Sequence, residues 1–168
     1  MLSRPRALII DLDQTLVDSR CTKLLRTQRR WSEVHALIPQ FTIAPGAIEL
    51  GTIPGLQIAV VTKSPSTYAN AVLRHFRIRF DALVAYHDSP QQKPHPAPTL
   101  KALALLGIDP EDAWAAGDHP DDLVSARAAG IKRLIGITAW ADSLADLASA
   151  IPSDTVTHPI GIVELLRH

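Results

Sequence analysis

The chain has 168 residues, and 17 basic side chains balance 17 acidic ones, so its formal net charge is zero. This balance gives no support for an obligatory nucleic acid or anionic membrane partner. Apolar residues make up 46% of the chain, without a low-complexity tract or an apolar stretch long enough to span a bilayer. The length suits one domain with a substantial core.

Two features at the start of the chain predict its compartment. The segment MLSRPRALII carries basic residues and then only a short apolar run, whereas a signal peptide needs a longer run and a small-residue cleavage site. Cys21 is the only cysteine, which excludes an intramolecular disulfide. We therefore expect a cytoplasmic protein.

Short apolar runs alternate with helical patterns along the chain. The apolar runs are typical of strands that are buried on both faces of a sheet. They are ALIID (7–11), IAVVT (58–62), LVAY (83–86), AWAAGD (113–118) and RLIGIT (133–138). Helical spacing of apolar residues marks 65–76, 96–107 and 121–130. This alternation predicts an α/β fold, with a three-layer, Rossmann-like, mostly parallel sheet flanked by helices.

The predicted helices carry terminal signals. Gly107 and Gly130 suit the left-handed position that follows a helix. Ser64 before Pro65 predicts a capping hydroxyl followed by a proline at the first helical position, and Pro120 is suited to begin the next helix. From ADSLADLASA (141–150) to the end of VELLRH, we expect a further helix, a short strand near Thr155–Thr157 and a terminal helix.

The segment from about 15 to 44 interrupts the alternation. It has five positive charges and no acid between Arg20 and Arg30, and then becomes more apolar in WSEVHALIPQF. We expect a small, partly helical insert over the sheet edge, within a single domain that spans 1–168. The basic run either forms a solvated helix face or binds an anionic substrate through Arg20, Lys23 or a neighbour.

Polar side chains gather where the predicted strands end, and open parallel sheets bind ligands outside the carboxyl ends of their strands. These side chains are Asp11 and Asp13 in DLDQT, Thr62, Lys63 and Ser64 in VVTKS, Lys93 in QQKPHP, and Asp118 and Asp122 in GDHPDD. Two carboxylates about 4 Å apart repel by roughly 4 kcal/mol at an effective dielectric near 20. Several converging carboxylates therefore require protons or a cation.

These four motifs, in this order, resemble those of the haloacid dehalogenase superfamily, in its phosphatase-like branch with an insert after the first motif. The family pattern is an acid, any residue, an acid, any residue and threonine, then a strand that ends in threonine or serine. A lysine before a helix follows, and then glycine-aspartate with a second acid four positions later. The resemblance covers residues 7 to about 140.

The resemblance implies a role for each catalytic side chain. Asp11 would be the nucleophile that forms an aspartyl-phosphate, and Asp13 would protonate the leaving oxygen and then activate water. Thr62 would donate a hydrogen bond to the phosphoryl group. Lys93 would neutralise charge on the phosphoryl oxygens and on Asp11.

The resemblance also implies a Mg²⁺ site, because this ion prefers oxygen ligands. The ligands would be the Asp11 carboxylate, the Asp13 backbone carbonyl and Asp118, with Asp122 supporting them directly or through water. Asp122 alternatively suits a helix-start acid facing the dipole. Asp121 beside it is predicted to be a helix cap.

The chain departs from the family pattern in three places. Gln14 replaces the usual glycine, which is tolerable provided that the position does not need positive φ. Lys63 stands where asparagine is frequent and adds positive charge near the phosphoryl pocket, and we consider Lys63 and Ser64 candidates for substrate binding. The insert is too short for a full helical cap. We therefore expect an open crevice, which either a large substrate or a second subunit of a homo-oligomer completes.

We predict a Mg²⁺-dependent phosphatase that acts on an organic phosphate monoester. The resemblance implies that the dehalogenase and phosphonatase branches lack an acid at the place of Asp13. The alternatives are a catalytically idle phosphate-binding or regulatory module on the same fold and a phosphomutase-type phosphoryl transferase. The expected partner is a phosphorylated substrate, without an obligatory nucleic acid or a membrane.

Overall fold

A parallel sheet forms the centre of the protein in the computed structural model, which describes residues 4–168. The strands are β1 (Ala7–Ile10), β2 (Val17–Asp18), β3 (Thr42–Ile43), β4 (Gln57–Val61), β5 (Ala82–Val84), β6 (Ala113–Gly117), β7 (Arg133–Ile137) and β8 (Asp154–Val156). Six of them pair in parallel in the order β5-β4-β1-β6-β7-β8. Strands β2 and β3 form a separate antiparallel ribbon. The predicted α/β sheet is confirmed.

Helices cover both faces of this sheet. They are α1 (Lys23–Thr27), α2 (Trp31–Leu37), α3 (Ala47–Leu50), α4 (Ser66–His75), α5 (Ala97–Leu106), α6 (Pro120–Ala128), α7 (Leu144–Ser149) and α8 (Pro159–Arg167). Leu8 and Ile10 of β1 belong to the core cluster that includes residues of α4 and α8, whereas Ala7 and Ile9 belong to the cluster with residues of α5 and α6. Because successive strand residues point to opposite faces, β1 joins two cores and creates three layers.

The signals at helix ends are confirmed in part. Gly107 and Gly130 have φ angles of 64° and 97°, in the left-handed region that glycine adopts without steric cost. Pro120 begins α6. The predicted cap at Ser64 is wrong, because α4 begins at Ser66 without a side-chain cap and the Ser64 hydroxyl donates to Asp13 at 3.0 Å.

The insert is a short helical pair framed by the β2–β3 ribbon. It carries α1 and α2 between the two ribbon strands. Val34 of α2 and Phe41 after it are buried in the same core cluster as Tyr68 of α4, and the Trp31 and Tyr68 ring centroids lie 5.4 Å apart. The insert is therefore held against α4, at the carboxyl end of the sheet. Within residues 4–168, no helix has the length and apolar character needed to cross a membrane.

Candidate active site

The carboxyl ends of β1, β4 and β6 meet at a pocket of about 180 Å³. These three strands are neighbours in the sheet, so the residues that follow them in sequence come together in space. The lining residues are Asp11, Asp13, Arg26, Thr62, Lys63, Ser64, Lys93, Asp118, His119, Asp121 and Asp122. The structure thus gathers the side chains of all four sequence motifs.

Lys93 joins the first motif to the last. Its Nζ donates to Asp11 Oδ1 at 3.0 Å, to Asp122 Oδ1 at 2.6 Å and to the Val61 carbonyl at 2.8 Å. Burial alone would lower the pKa of this ammonium, but the charges of Asp11 and Asp122 raise it above its ordinary value. The three acceptors therefore match the three protons of the charged lysine, whose ammonium form they favour.

Three carboxylates converge beside this ammonium. Oxygen atoms of Asp11, Asp118 and Asp122 lie within 4.8 Å of one another. Burial raises the pKa of Asp11 to about 6, with a further contribution from Asp122 that Lys93 partly offsets. Burial also raises the pKa of Asp118 to about 10, followed by repulsion from Asp11 and Asp122. Three acids against one lysine leave a negative charge excess, and the all-oxygen donor set fits a hard divalent cation.

Close contacts orient two of these carboxylates. Thr15 Oγ1 donates to Asp118 Oδ1 at 3.0 Å. Asp122 Oδ2 accepts from the His119 backbone N–H at 3.1 Å, while its other oxygen accepts from Lys93. Asp122 thus serves both as a helix-start acid and as a member of the cluster. A Cβ on Gly117 would lie 2.2 Å from Asp122 Oδ2, so this close approach requires glycine.

The Asp13 carboxylate is enclosed by donors. Its Oδ1 accepts from Ser19 Oγ at 2.5 Å and from the Tyr68 hydroxyl at 2.6 Å. Its Oδ2 accepts from Ser64 Oγ at 3.0 Å and lies 3.4 Å from Arg26 Nη1. Burial and then the Asp13 charge raise the pKa of Tyr68, so this phenol remains a donor. The network fixes the direction of Asp13.

Gln14 adopts a φ of 60°, so the condition under which glutamine was expected to replace glycine is not met. A left-handed conformation of this kind costs a non-glycine residue about 1 kcal/mol or more. The Gln14 side chain provides compensation, because Oε1 accepts from the Ser19 backbone N–H at 3.0 Å and lies 3.0 Å from Ser19 Oγ, whose single proton goes to Asp13. Gln14 thereby orients the serine hydroxyl that donates to Asp13.

Thr62 is buried at the end of β4 and lines the pocket. Its Oγ1 accepts from the Ser64 backbone N–H at 3.1 Å. Since a hydroxyl also has one proton to donate, the Thr62 proton is available for an anion in the pocket. Lys63 Nζ forms an ion pair with Asp121 Oδ2 at 2.6 Å.

Asp121 is not the cap of α6. Its backbone N–H donates to Nδ1 of His119, which is the capping residue. Because α6 begins at Pro120, Asp121 is the second residue of the helix, and its carboxylate pairs with Lys63. The expectation of a cap at Asp121 is therefore wrong.

The basic run contributes a different residue from the two that were singled out. Arg20 pairs with Asp18 and Lys23 pairs with Asp142, and neither lines the pocket. Arg26 does line it and reaches Asp13. In the sequence, the only indication of a role for Arg26 was its position one helical turn after Lys23. The direction of the α1 axis decides which of these two side chains faces the site.

Three further residues were missed by sequence reasoning, namely Thr15, Ser19 and Tyr68. Thr15 belongs to the DLDQT motif and could have been identified there. Ser19 and Tyr68 carry no local signal, because their hydroxyls meet Asp13 only through the fold of the insert and α4.

Comparison with known proteins identifies the family. The model of the family described as haloacid dehalogenase-like hydrolase matches residues 23–135, which is more than half of the chain. The chain belongs to the haloacid dehalogenase-like hydrolases. The matched range begins after DLDQT, so the placement of Asp11 and Asp13 rests on the geometry described above.

Curated relatives carry the names of phosphatases and pyrophosphatases. A phosphoglycolate phosphatase of Aquifex aeolicus is 29% identical over 124 residues, which cover 73% of this chain and 56% of the relative. A candidate pyrophosphatase PpaX of Caldanaerobacter subterraneus is 42% identical over 80 residues, or 46% of this chain and 36% of the relative. This haloacid dehalogenase-like chain thus spans about a third to just over half of the length of these relatives.

A solved structure shows the same fold. A candidate phosphoglycolate phosphatase from Lactobacillus plantarum superimposes with a TM-score of 0.83 at 20% sequence identity. The superposition covers 97% of this chain and 100% of the other. At this identity the similarity establishes the fold of this haloacid dehalogenase-like hydrolase and nothing finer.

Proposed function

We propose that the chain is a Mg²⁺-dependent phosphatase that hydrolyses an organic phosphate monoester through an aspartyl-phosphate on Asp11. The observation that carries the proposal is the contact of Asp11 with Lys93, inside a cluster with Asp118 and Asp122. A carboxylate held between an ammonium and two further acids is suited to attack phosphorus once a cation balances the charge. The phosphatase names of the curated relatives support a phosphorylated substrate.

The residues of the chain divide the reaction between them. Asp11 attacks phosphorus, and the ester oxygen leaves with a proton from Asp13. Of the two Asp13 oxygens, Oδ2 has the longer contacts, so we assign the proton to this atom. The Thr62 hydroxyl donates to the transferring group, and Asp13 then takes a proton from the water that cleaves the aspartyl-phosphate.

The Asp11 carboxylate, the Asp13 backbone carbonyl and Asp118 would hold the Mg²⁺, with Asp122 supporting them directly or through water. When bound, this ion would neutralise the carboxylates and polarise the phosphoryl group. Lys93 bridges Asp11 and Asp122 by donating a hydrogen bond to each of them, which offsets the repulsion between the two carboxylates. The site would thus combine the ammonium group of Lys93 with a Mg²⁺ ion taken up from solution.

Turnover of p-nitrophenyl phosphate with and without Mg²⁺ tests the proposal. We expect Mg²⁺-dependent release of phosphate, and the Asp11→Asn variant should lose at least a hundredfold in rate because the nucleophile is gone. The matched control is Asp109→Asn, which makes the same change at an exposed residue outside the pocket. Activity that survives in Asp11→Asn contradicts the assignment.

Three further features remain proposals. We propose that 1–168 acts as one catalytic domain and that the protein is cytoplasmic. We also propose that either a bulky substrate or a second subunit closes the crevice, because α1 and α2 are too short to form a full cap. Size-exclusion chromatography with light scattering measures the oligomeric state.

A further inference from the structure

A second pocket opens beside the candidate active site. It has a volume of about 380 Å³, about twice that of the 180 Å³ pocket at the ends of β1, β4 and β6, which we call the phosphoryl pocket. The two pockets share Arg26, Lys63 and Ser64 in their linings. A group that leaves the phosphorus on the side of Arg26 therefore faces the second pocket. A volume in this range is typical of organic ligand sites.

The charges around this second pocket are unbalanced. Arg26, Arg29 and Lys63 line it, and none of its lining residues is an acid. Arg26 pairs with Asp13 and Lys63 pairs with Asp121, both of which lie in the phosphoryl pocket. Within residues 4–168, Arg29 forms no ion pair. One positive charge is thus available to a ligand.

The backbone fixes the place of Arg29. It lies between α1 and α2 with a φ of 57°, and the Arg30 N–H donates to the Leu25 carbonyl at 2.9 Å. This hydrogen bond closes a left-handed helix end of the Schellman type. A left-handed arginine is strained, yet it stands at the turn that delivers its side chain to the pocket.

Rings complete the lining of the second pocket. Trp31 is half-buried, and its ring contacts that of Tyr68. Tyr86 and His87, which follow β5 in the sequence, also line the pocket. Tyr86 keeps 41% of its surface exposed. Aromatic faces next to an unpaired guanidinium suit a planar ligand that also carries negative charge.

We propose that the second pocket binds the leaving group of the substrate, and that it selects an aromatic leaving group which carries an anionic substituent. The inference rests on the proposed phosphatase activity and names its substrate class. Arg29 is the residue that recognises the anion. Glycolate or inorganic phosphate would leave most of the 380 Å³ unfilled, so a small anionic leaving group gains less from this pocket.

The test compares 4-carboxybenzyl phosphate with its neutral isostere, 4-carbamoylbenzyl phosphate, in the presence of Mg²⁺. We expect wild-type enzyme to favour the carboxylate through a lower KM. In Arg29→Gln this preference should fall roughly three- to fivefold, as for one exposed ion pair. The KM for the carbamoyl compound should change less than the KM for the carboxylate, because only the carboxylate can pair with the Arg29 guanidinium.

Arg77→Gln is the matched control. Arg77 is also exposed, has a φ of 55° and ends α4 with the same pattern, since the Ile78 N–H donates to the Leu73 carbonyl. It does not line either pocket, so its substitution should leave the preference intact. Trp31 is unsuitable for this test, because its ring supports Tyr68.

Three results would overturn the inference. The first is a preference for the carboxybenzyl over the carbamoylbenzyl compound that is equal in wild type and Arg29→Gln. The second is the absence of this preference in the wild type. The third is a higher kcat/KM for phosphoglycolate than for the carboxybenzyl compound. If neither benzyl phosphate is hydrolysed, calorimetric titration with the two corresponding benzylphosphonates decides the inference: equal affinities refute it, and a preference that Arg29→Gln removes supports it. The proposed function fails separately when p-nitrophenyl phosphate is not hydrolysed either.

Discussion

Replacing Asp118 by asparagine should stabilise the metal-free protein. Asp118 is held beside Asp11 and Asp122 with its pKa raised to about 10, so the folded protein keeps a proton that the unfolded chain releases. Unfolding then releases protons, and the free energy of unfolding falls as the pH rises from about 4 towards 10. Asparagine removes the ionisable group and keeps an oxygen that can accept from Thr15 Oγ1, as Asp118 Oδ1 does at 3.0 Å.

The size of the effect follows from the geometry. Two carboxylates whose oxygens lie within 4.8 Å of each other repel by at least about 3.5 kcal/mol at an effective dielectric of 20. Protonation of Asp118 limits the destabilisation that this repulsion can cause. Protonating a carboxyl group whose ordinary pKa is 3.8 costs about 4 kcal/mol at pH 7. The buried amide of asparagine offsets part of the gain. We therefore expect the variant to gain roughly 1–3 kcal/mol near pH 7.

Urea unfolding in EDTA near pH 5 and near pH 8 measures this effect. The wild type should lose stability between the two pH values, and Asp118→Asn should lose less. Saturating Mg²⁺ should stabilise the wild type, by about 2.7 kcal/mol at a hundredfold excess over Kd, and the variant by less. Asp109→Asn, an exposed change, serves as the control. A variant that is less stable than wild type in EDTA at both pH values would refute the electrostatic reasoning.

Two substitutions test the close contacts of the site. Gly117→Ala would place a Cβ 2.2 Å from Asp122 Oδ2, so it should displace this carboxylate from Lys93. We expect the free energy of unfolding, measured with urea, to fall by about 1–3 kcal/mol. Unchanged stability and Mg²⁺ affinity would contradict the contact. Gln14→Gly relieves left-handed strain but leaves the buried Ser19 N–H without its acceptor, so it should destabilise by about 1 kcal/mol. A more stable glycine variant in thermal melts would show that strain outweighs the hydrogen bonds.

The layout of the sheet was readable from local pattern. Apolar runs of four to five residues and glycine after helices depend on neighbours in sequence, so β1, β4, β6 and β7 were located to within a residue. The strand ends then predicted which residues share an edge, and Asp11, Thr62, Lys93 and Asp118 meet there. The exceptions, Ser64 and Asp121, are polar residues whose strongest partners lie far away in the chain.

The sequence by itself determined the class of fold and the identity of the acids, the threonine and the lysine, because periodicity and motif order are local properties of the chain. Only the tertiary structure decided which donors surround Asp13 and which arginines of the basic run line the two pockets. Ser19, Arg26 and Tyr68 reach Asp13 from three different elements. Their meeting depends on the angle at which the insert packs on α4, and no spacing in the sequence encodes that angle.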